Sequence, residues 1–151
     1  MVSRLCDDAR RAVLNEAQRW LGTPYRHQAS RLGVGADCLG LIVGIWRTIY
    51  GTAPAIPADY AADWTIGADN DPLFDAAAAH CKQVPFDEAR PGDLLTFRWT
   101  PCLPSRHLAL LADKSTIIHA YERHGVLQSS LVPFWRRRVS GAFEFPPLPT
   151  D

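Results

Sequence analysis

One cysteine lies at a position suited to a catalytic nucleophile, at the junction between a glycine-containing loop and an apolar run. Cys38 follows Asp37 within the stretch Gly-Ala-Asp-Cys-Leu-Gly-Leu-Ile-Val-Gly-Ile-Trp, from Gly35 to Trp46. Unpaired amide N–H groups at a helix start favour a negative charge, which promotes the thiolate form of a cysteine. The position suits a nucleophile, but cysteine is also among the most buried residue types, so a structural role stays open.

Two histidines on neighbouring predicted strands supply a base and a partner for it. If a three-residue loop pairs Ala112 with Thr116, His107 and His119 lie diagonally on one sheet face, within reach of a ring-to-ring hydrogen bond. A two-residue loop would shift the register by one and place them on opposite faces. In the first arrangement His107 is the general base and His119 orients its other nitrogen. A structural role is the alternative for a lone strand histidine.

Tyr25 lies on a loop shortly before the cysteine. Its phenol could donate to an oxyanion, with the backbone N–H of Cys38 as a second donor. The alternative is a half-buried loop aromatic with a packing role. The other histidines lack comparable partners and are interpreted as surface or loop residues: His27, His80 and His124.

The elements that must position these residues begin with helices. Helices are predicted over Leu5–Leu21, Cys38–Tyr50 and Pro72–Cys81. The second is apolar nearly all round, which indicates burial. Asp37 is a good N-cap and Gly51 a suitable stop. Gly40 and Gly44 stand four residues apart and allow another backbone to approach closely.

Strands follow the turn at Pro91-Gly92-Asp93. They are predicted over Leu94–Trp99, His107–Ala112, Thr116–Tyr121, Val126–Ser130 and Val139–Phe145. Helices followed by a meandering antiparallel sheet of five to six strands indicate an α+β fold. We expect one domain over 1–151, with 146–151 as a loose tail. The segment 52–71, which contains Tyr60 and Trp64, is predicted to be an irregular excursion that forms one wall of the cleft.

Composition excludes several classes of function. The chain has 151 residues, with 16 basic and 16 acidic side chains, so there is no global attraction to nucleic acid or to acidic lipid. The short cluster Arg136-Arg137-Arg138 is interpreted as a solvated face. No run is long and apolar enough to cross a membrane. The charged N-terminus lacks the apolar segment of a signal peptide, so we expect synthesis in the cytoplasm and export by another route.

The remaining cysteines do not form a recognisable metal or disulfide pattern. Cys6 and Cys81 are predicted to be packed thiols on helices, and Cys102 a loop thiol. Their wide spacing speaks against a zinc site and against a disulfide scaffold. We therefore expect no metal and no cofactor.

Taken together in chain order, several short blocks resemble the NlpC-type cysteine peptidases of bacterial cell walls. The blocks are Leu21-Gly22-Thr23-Pro24-Tyr25-Arg26, Asp37-Cys38-Leu39-Gly40-Leu41, Arg90-Pro91-Gly92-Asp93-Leu94, His107-Leu108-Ala109-Leu110 and Ile118-His119-Ala120. They follow the order and approximate spacing of the family and span nearly the whole chain. The form is similar to the branch found in phage and phage-like tail gene clusters, in which a segment rich in Pro and aromatics follows the cysteine helix.

The resemblance implies a papain-like fold and hydrolysis of amide bonds in peptidoglycan stem peptides, typically between D-γ-glutamyl and a diamino acid. On that pattern Cys38 is the nucleophile, His107 the base and His119 the orienting residue. Tyr25 matches a tyrosine near the oxyanion and substrate. Asp37 matches an acid that can face a free substrate amine.

At one position the chain departs from many relatives, which have serine after the cysteine where this chain has Leu39. A hydroxyl available for substrate binding is lost, so whether the family's preference at that subsite carries over to this chain stays open. The triad itself does not depend on it.

The leading hypothesis is a cell-wall cysteine peptidase carried by a phage or phage-like tail and acting on the wall, with tail proteins as partners. One alternative is a tail-assembly or wall-binding protein that keeps the fold without turnover. Another is an amidase or acyltransferase on the same scaffold, because thioester chemistry is shared and only the acceptor differs.

Overall fold

The computed structural model of the chain describes residues 2–56 and 71–149. The α-helices in these ranges are α1 (Val2–Trp20), α2 (Cys38–Tyr50), α3 (Pro72–His80) and α4 (Pro133–Arg136). The first three confirm the predicted helices, with α2 having the predicted bounds. The helix α4 was not predicted, because four residues are too few to show an apolar period. No helix of the described ranges is long and apolar enough to cross a membrane.

The strands of the described ranges form two antiparallel sheets. Their bounds are β1 (Ser30–Arg31), β2 (Gly35–Ala36), β3 (Lys82–Val84), β4 (Leu94–Phe97), β5 (His107–Asp113), β6 (Thr116–Tyr121), β7 (Gly125–Ser130) and β8 (Val139–Glu144). The large sheet has six strands in the order β3-β8-β4-β5-β6-β7, and β1 pairs only with β2. The predicted α+β class is confirmed. The sequence did not indicate β1, β2 and β3, which have two or three residues each.

In the hairpin between β5 and β6, the residues face the predicted sides of the sheet, but the connecting turn differs from the prediction. Leu110 pairs with Ile118, which is the register that a three-residue loop predicts. At the turn, however, Asp113 pairs with Thr116 across two residues, and the register shifts between Leu111 and Asp113. The predicted three-residue loop is therefore wrong. A bulge adds the extra residue that the shorter turn lacks, so His107 and His119 still lie on the same face of the sheet, as predicted.

Hydrophobic cores lie on both faces of the large sheet. Alternate residues of β5 point to opposite sides, and Leu108 and Leu110 pack with α1 and α2 in the larger core. Ala109 and Leu111 belong to a second core, together with Trp135 of α4. The helix α2 packs between α1 and the sheet, and this explains why its sequence is apolar nearly all round.

The helix α2 is held closely by its neighbours. A Cβ on Gly40 would collide with the backbone carbonyl of Ala29, as the predicted close approach requires. A Cβ on Gly44 would instead meet the ring of Trp20, a side chain rather than backbone. Gly51 ends the helix with φ 85°, a left-handed conformation that glycine adopts without strain.

An ionic cluster ties α1 to the sheet. The guanidinium of Arg10 donates to Asp93, Glu144 and Asp7, each at 2.9 Å. The side chain of Asp93 is fully buried beside it. In the turn before β4, Asp93 also accepts a hydrogen bond from the backbone N–H of Arg90 at 2.9 Å. These partners explain why an acidic residue occupies this position.

The other sequence predictions have mixed outcomes. All four cysteines are free thiols, with Cys6 buried on α1, Cys81 directly after α3 and Cys102 exposed in a loop. Residues 57–70 lie outside the described residues, so the predicted role of 52–71 and the places of Tyr60 and Trp64 stay predictions. The single domain and loose tail also stay predictions.

Candidate active site

Cys38 is the first residue of α2, and the turn before it is built by Asp37. One carboxylate oxygen of Asp37 accepts from the backbone N–H of Gly40 at 2.7 Å, which confirms the predicted N-cap. The other accepts from the N–H of Gln28 at 2.7 Å. Asp37 is fully buried, and Cys38 is 7% exposed. The two hydrogen bonds of Asp37 thus fix the loop and the helix start that present the thiol. The sequence indicated the N-cap but not the contact to Gln28.

Tyr25 is held alongside the helix start by backbone pairing. It bridges to Ala36, the residue before Asp37, with Arg26 donating to the Ala36 carbonyl at 3.2 Å. Burial raises the pKa of Tyr25 to about 12, and negative charge on Cys38 and Asp37 acts in the same direction. The phenol therefore stays protonated and able to donate a hydrogen bond at neutral pH.

His107 and His119 form the ring-to-ring hydrogen bond that the register predicts. Nε2 of His107 lies 2.7 Å from Nδ1 of His119. Their rings meet nearly edge to face, with centroids 5.0 Å apart. Burial lowers the pKa of both, and the charge of His119 lowers that of His107 further. Both imidazoles are therefore neutral at neutral pH, and each retains one nitrogen able to accept a proton.

A serine extends this pair. Oγ of Ser129 lies 2.8 Å from Nε2 of His119. In the β6–β7 register His119 stands opposite Leu127, so Ser129 lies diagonally from it on the same face. Ser129 was not among the predicted site residues. The alternation of β7 shows which of its residues share a face, but only its pairing with β6 shows that Ser129 meets His119.

Aromatic rings enclose the histidine pair. Trp135 stacks on His107 with centroids 5.3 Å apart and meets His119 edge-on at 5.4 Å. Tyr121 stacks on His119 at 5.3 Å, and Phe97 lies 5.8 Å from His107. These rings exclude water, which is the burial that keeps both histidines neutral. Trp135 was missed because α4 was not predicted.

Cys38 and His107 lie at the same end of the sheet. The charges of Cys38 and of Glu122, the residue directly after β6, both act on Tyr25. Tyr121 ends β6, and its ring centroid is 6.4 Å from that of His107. The helix α2 also packs against β5 and β6. The fold thus brings the predicted thiol, phenol and imidazole to one end of the sheet.

A polar cluster fixes the chain just before His107. The carboxylate of Asp71 accepts from the backbone N–H of Ser105 at 3.0 Å and from its hydroxyl at 2.8 Å. Asp71 also caps α3 by accepting from the N–H of Phe74 at 3.2 Å. The hydroxyl of Ser105 lies 2.6 Å from that of Ser140. The start of β5 is therefore tied to both α3 and β8, a set of contacts that the sequence did not reveal.

An apolar cavity of about 40 Å³ lies between α2, α3 and the sheet. Its walls include Leu39 and Leu108, the residues that follow Cys38 and His107 in the chain. Both side chains are buried, Leu39 at 7% exposure and Leu108 at 3%.

Two of the remaining histidines contact residues of the site. Nδ1 of His27 lies 3.8 Å from the carboxylate of Asp37, and the ring of His124 stacks on Tyr121 with centroids 5.3 Å apart, so the expectation that they lack partners is wrong. Both are exposed, as predicted, and Nε2 of His80 lies 3.1 Å from the carbonyl oxygen of Ala55. Within residues 2–56 and 71–149, no group of three or more His, Cys, Asp or Glu side chains is arranged to hold a metal ion.

Comparisons of sequence and structure find known proteins that are similar to this chain. The profile of the NlpC/P60 family matches residues 22–144. The probable endopeptidase NlpC of Escherichia coli is 29% identical over 131 residues, 82% of this chain and 73% of that protein. The gamma-DL-glutamyl hydrolase of Bacillus subtilis is 24% identical over 134 residues, 88% of this chain but only 29% of that longer protein. The crystal structure of the NlpC/p60 domain of the peptidoglycan hydrolase SagA superimposes with a TM-score of 0.65 at 20% identity, covering 89% of this chain and 97% of that one.

Proposed function

Because this chain belongs to the NlpC/P60 family of peptidoglycan hydrolases, we propose that it is a cysteine peptidase that cleaves an amide bond in peptidoglycan stem peptides. The observation that supports this most is the buried His107–His119 pair at the same end of the sheet as Cys38. A neutral imidazole held in place by a second ring, and a thiol at a helix start, are the base and the nucleophile that such a peptidase requires.

In the proposed reaction His107 takes the proton of the Cys38 thiol, and the sulfur attacks the carbonyl carbon of the scissile amide. The oxyanion of the tetrahedral intermediate accepts hydrogen bonds from the Cys38 N–H and the Tyr25 phenol. The intermediate collapses to a thioester as His107 gives its proton to the leaving amine. Water, deprotonated by His107, then hydrolyses the thioester and restores the thiol.

The bond between D-γ-glutamyl and a diamino acid is the proposed target. The name of the Bacillus subtilis relative, gamma-DL-glutamyl hydrolase, supports this choice of linkage. Asp37 matches an acid that can face a substrate amine in the resemblance, but here it is fully buried and both of its oxygens accept backbone hydrogen bonds, so we propose that it fixes the helix start instead. Leu39 is buried and carries no hydroxyl, so we propose no hydrogen bond from this side chain to the substrate.

Delivery by a phage or phage-like tail is part of the same proposal. Its support is the resemblance of the segment after the cysteine helix to that branch of the family. Mass spectrometry of purified tail particles should find the protein in a fixed ratio to the other tail proteins. Its absence from the particles would contradict this delivery.

Digestion of purified peptidoglycan, with mass analysis of the products, tests the activity. The wild type should release fragments cut at one stem-peptide bond, and Cys38→Ala should release none while staying folded. Cys102→Ala is the matched control, because this thiol is exposed in a loop, and it should cleave like the wild type. An inert wild type on several wall types would favour the tail-assembly or wall-binding alternative. Transfer to an added amine instead of water would favour an acyltransferase.

Alkylation against pH gives an independent test of the thiol. Burial raises the pKa of Cys81 to about 12, and the hydrogen bond to Glu144, followed by burial, raises that of Cys6. In Cys102→Ala protein, iodoacetamide should therefore modify one cysteine rapidly below about pH 8.5, the ordinary thiol pKa. Peptide mapping should identify it as Cys38. Modification of Cys6 or Cys81 first would contradict the assignment.

A further inference from the structure

The histidine pair ends in a hydroxyl at the edge of the sheet. Nε2 of His107 contacts Nδ1 of His119 at 2.7 Å, and Nε2 of His119 contacts Oγ of Ser129 at 2.8 Å. His119 is fully buried, whereas Ser129 is half-buried on the outermost strand, β7. Three side chains from three strands thus form one line of hydrogen bonds from the predicted base to the edge of the sheet.

Two neutral imidazoles in such a line allow only two orders of their protons. In the first order, both rings are protonated at Nε2, so His107 donates to His119, His119 donates to Ser129, and Nδ1 of His107 is bare. In the second order, Ser129 donates to His119, His119 donates from Nδ1 to His107, and Nδ1 of His107 carries a proton. Only the first order leaves His107 a nitrogen that can receive a proton from a thiol.

We infer that Ser129 is a positioning residue, whose hydroxyl accepts from His119 and holds the two rings in the order that leaves Nδ1 of His107 bare. The inference rests on the proposed function of His107 as the base. Among the described residues, His119 is the hydrogen-bond partner that the structure gives to Oγ of Ser129. The serine can therefore accept from the ring while its own proton points to solvent.

Removal of the hydroxyl should reverse the order. Without it, a proton on Nε2 of His119 would be a buried donor with no acceptor, and orphaned buried N–H groups are rare in proteins because they are costly. The ring avoids this by moving its proton to Nδ1, from which it donates to His107. The base is then blocked by a proton on its own Nδ1, even though every ring stays in place.

The kinetic test compares three variants in hydrolysis of isolated muropeptides. Ser129→Ala should lower kcat about tenfold with KM unchanged, the scale of losing one buried hydrogen bond. Ser129→Thr keeps the hydroxyl and suits a strand, so it should stay within about twofold of the wild type. Ser130→Ala is the matched control on the same strand, because its exposed side chain points to the other face, and it should also retain the wild-type rate.

Long-range ¹H–¹⁵N NMR of the histidine rings reads the proton order directly and does not depend on activity. The wild type and Ser129→Thr should show His107 and His119 protonated at Nε2, and Ser129→Ala should show His119 protonated at Nδ1. A wild-type His119 protonated at Nδ1, or an unchanged ring proton in Ser129→Ala, would overturn the inference. If the wild type hydrolyses no muropeptide, the proposed function fails, and the spectra alone still decide the role of Ser129.

Discussion

Replacement of His119 by glutamine should make the stability of the protein less sensitive to acid. His119 is fully buried, and burial lowers its pKa from 6.5 to about 4. Below pH 6.5 the unfolded chain therefore binds a proton at this ring that the folded protein does not bind. The free energy of unfolding is unaffected above pH 6.5, falls as the pH drops from 6.5 to about 4, and changes no further from this ring below that.

The magnitude follows from the same linkage. Each such histidine costs about 1.4 kcal/mol of stability per pH unit, so about 2 kcal/mol between pH 6.5 and pH 5. His107 behaves in the same way, since burial lowers its pKa as well. The wild type should lose about 4 kcal/mol from the pair over this interval, and His119→Gln only about 2. Total stabilities of about 5–15 kcal/mol make this a large share.

Urea unfolding followed by circular dichroism at pH 7, 6 and 5 measures the difference. Glutamine can accept from His107 and donate to Ser129, so His119→Gln should keep the fold. Carboxylates titrate in both proteins, and subtraction of the two curves removes their contribution. His124→Gln is the comparison variant, because it removes an exposed histidine that stacks on Tyr121 at 5.3 Å and leaves the 2.7 Å hydrogen bond of the buried pair in place. Parallel curves for wild type and His119→Gln between pH 6.5 and pH 5 would refute the reasoning.

Further predictions concern packing and charge. Arg10→Ala should lower the free energy of unfolding by about 3–5 kcal/mol, because it leaves Asp93 as a buried charge without its partner. Replacement of both residues by leucine should cost less than Arg10→Ala, and urea unfolding measures both variants. Gly40→Ala should yield little folded protein by circular dichroism, since its Cβ collides with the carbonyl of Ala29; a wild-type melting temperature would contradict this packing. Trp135→Leu should admit water to the histidine pair and raise the NMR titration midpoint of the buried rings towards 6.5; an unmoved midpoint would mean that the ring is not what excludes water.

The cost of burying two histidines has a counterpart in the proposed chemistry. A base in the imidazolium form at neutral pH could not take a proton from a thiol. The aromatic enclosure formed by Trp135, Tyr121 and Phe97 lowers the pKa of His107 and so keeps it neutral. The same enclosure makes the fold sensitive to acid. Stability at low pH and readiness of the base are thus opposed through one set of contacts.

Local signals in the sequence were sufficient for the cysteine helix. Its cap and its first turn lie within three residues of each other, and its stop glycine directly follows its last turn, so Asp37, Cys38 and Gly51 could be placed without knowledge of the rest of the chain. The alternation of polar and apolar residues likewise indicated most of the strands. The facing of His107 and His119 was predicted correctly, but through a loop length that proved wrong. Register depends on the sum of turn and bulge residues, and a bulge has no clear mark in this sequence.

What only the tertiary structure decided are the contacts between segments far apart in the chain. Asp71 reaches Ser105 across 34 residues, and Trp135 covers the histidines from a helix too short to predict. Ser129 meets His119 only because β7 pairs with β6 in one register among several that its pattern allows. Residue types and spacing therefore determined which groups could react. The packing of distant segments decided their burial, their protonation and the partners that orient them, because those depend on neighbours that no local pattern specifies.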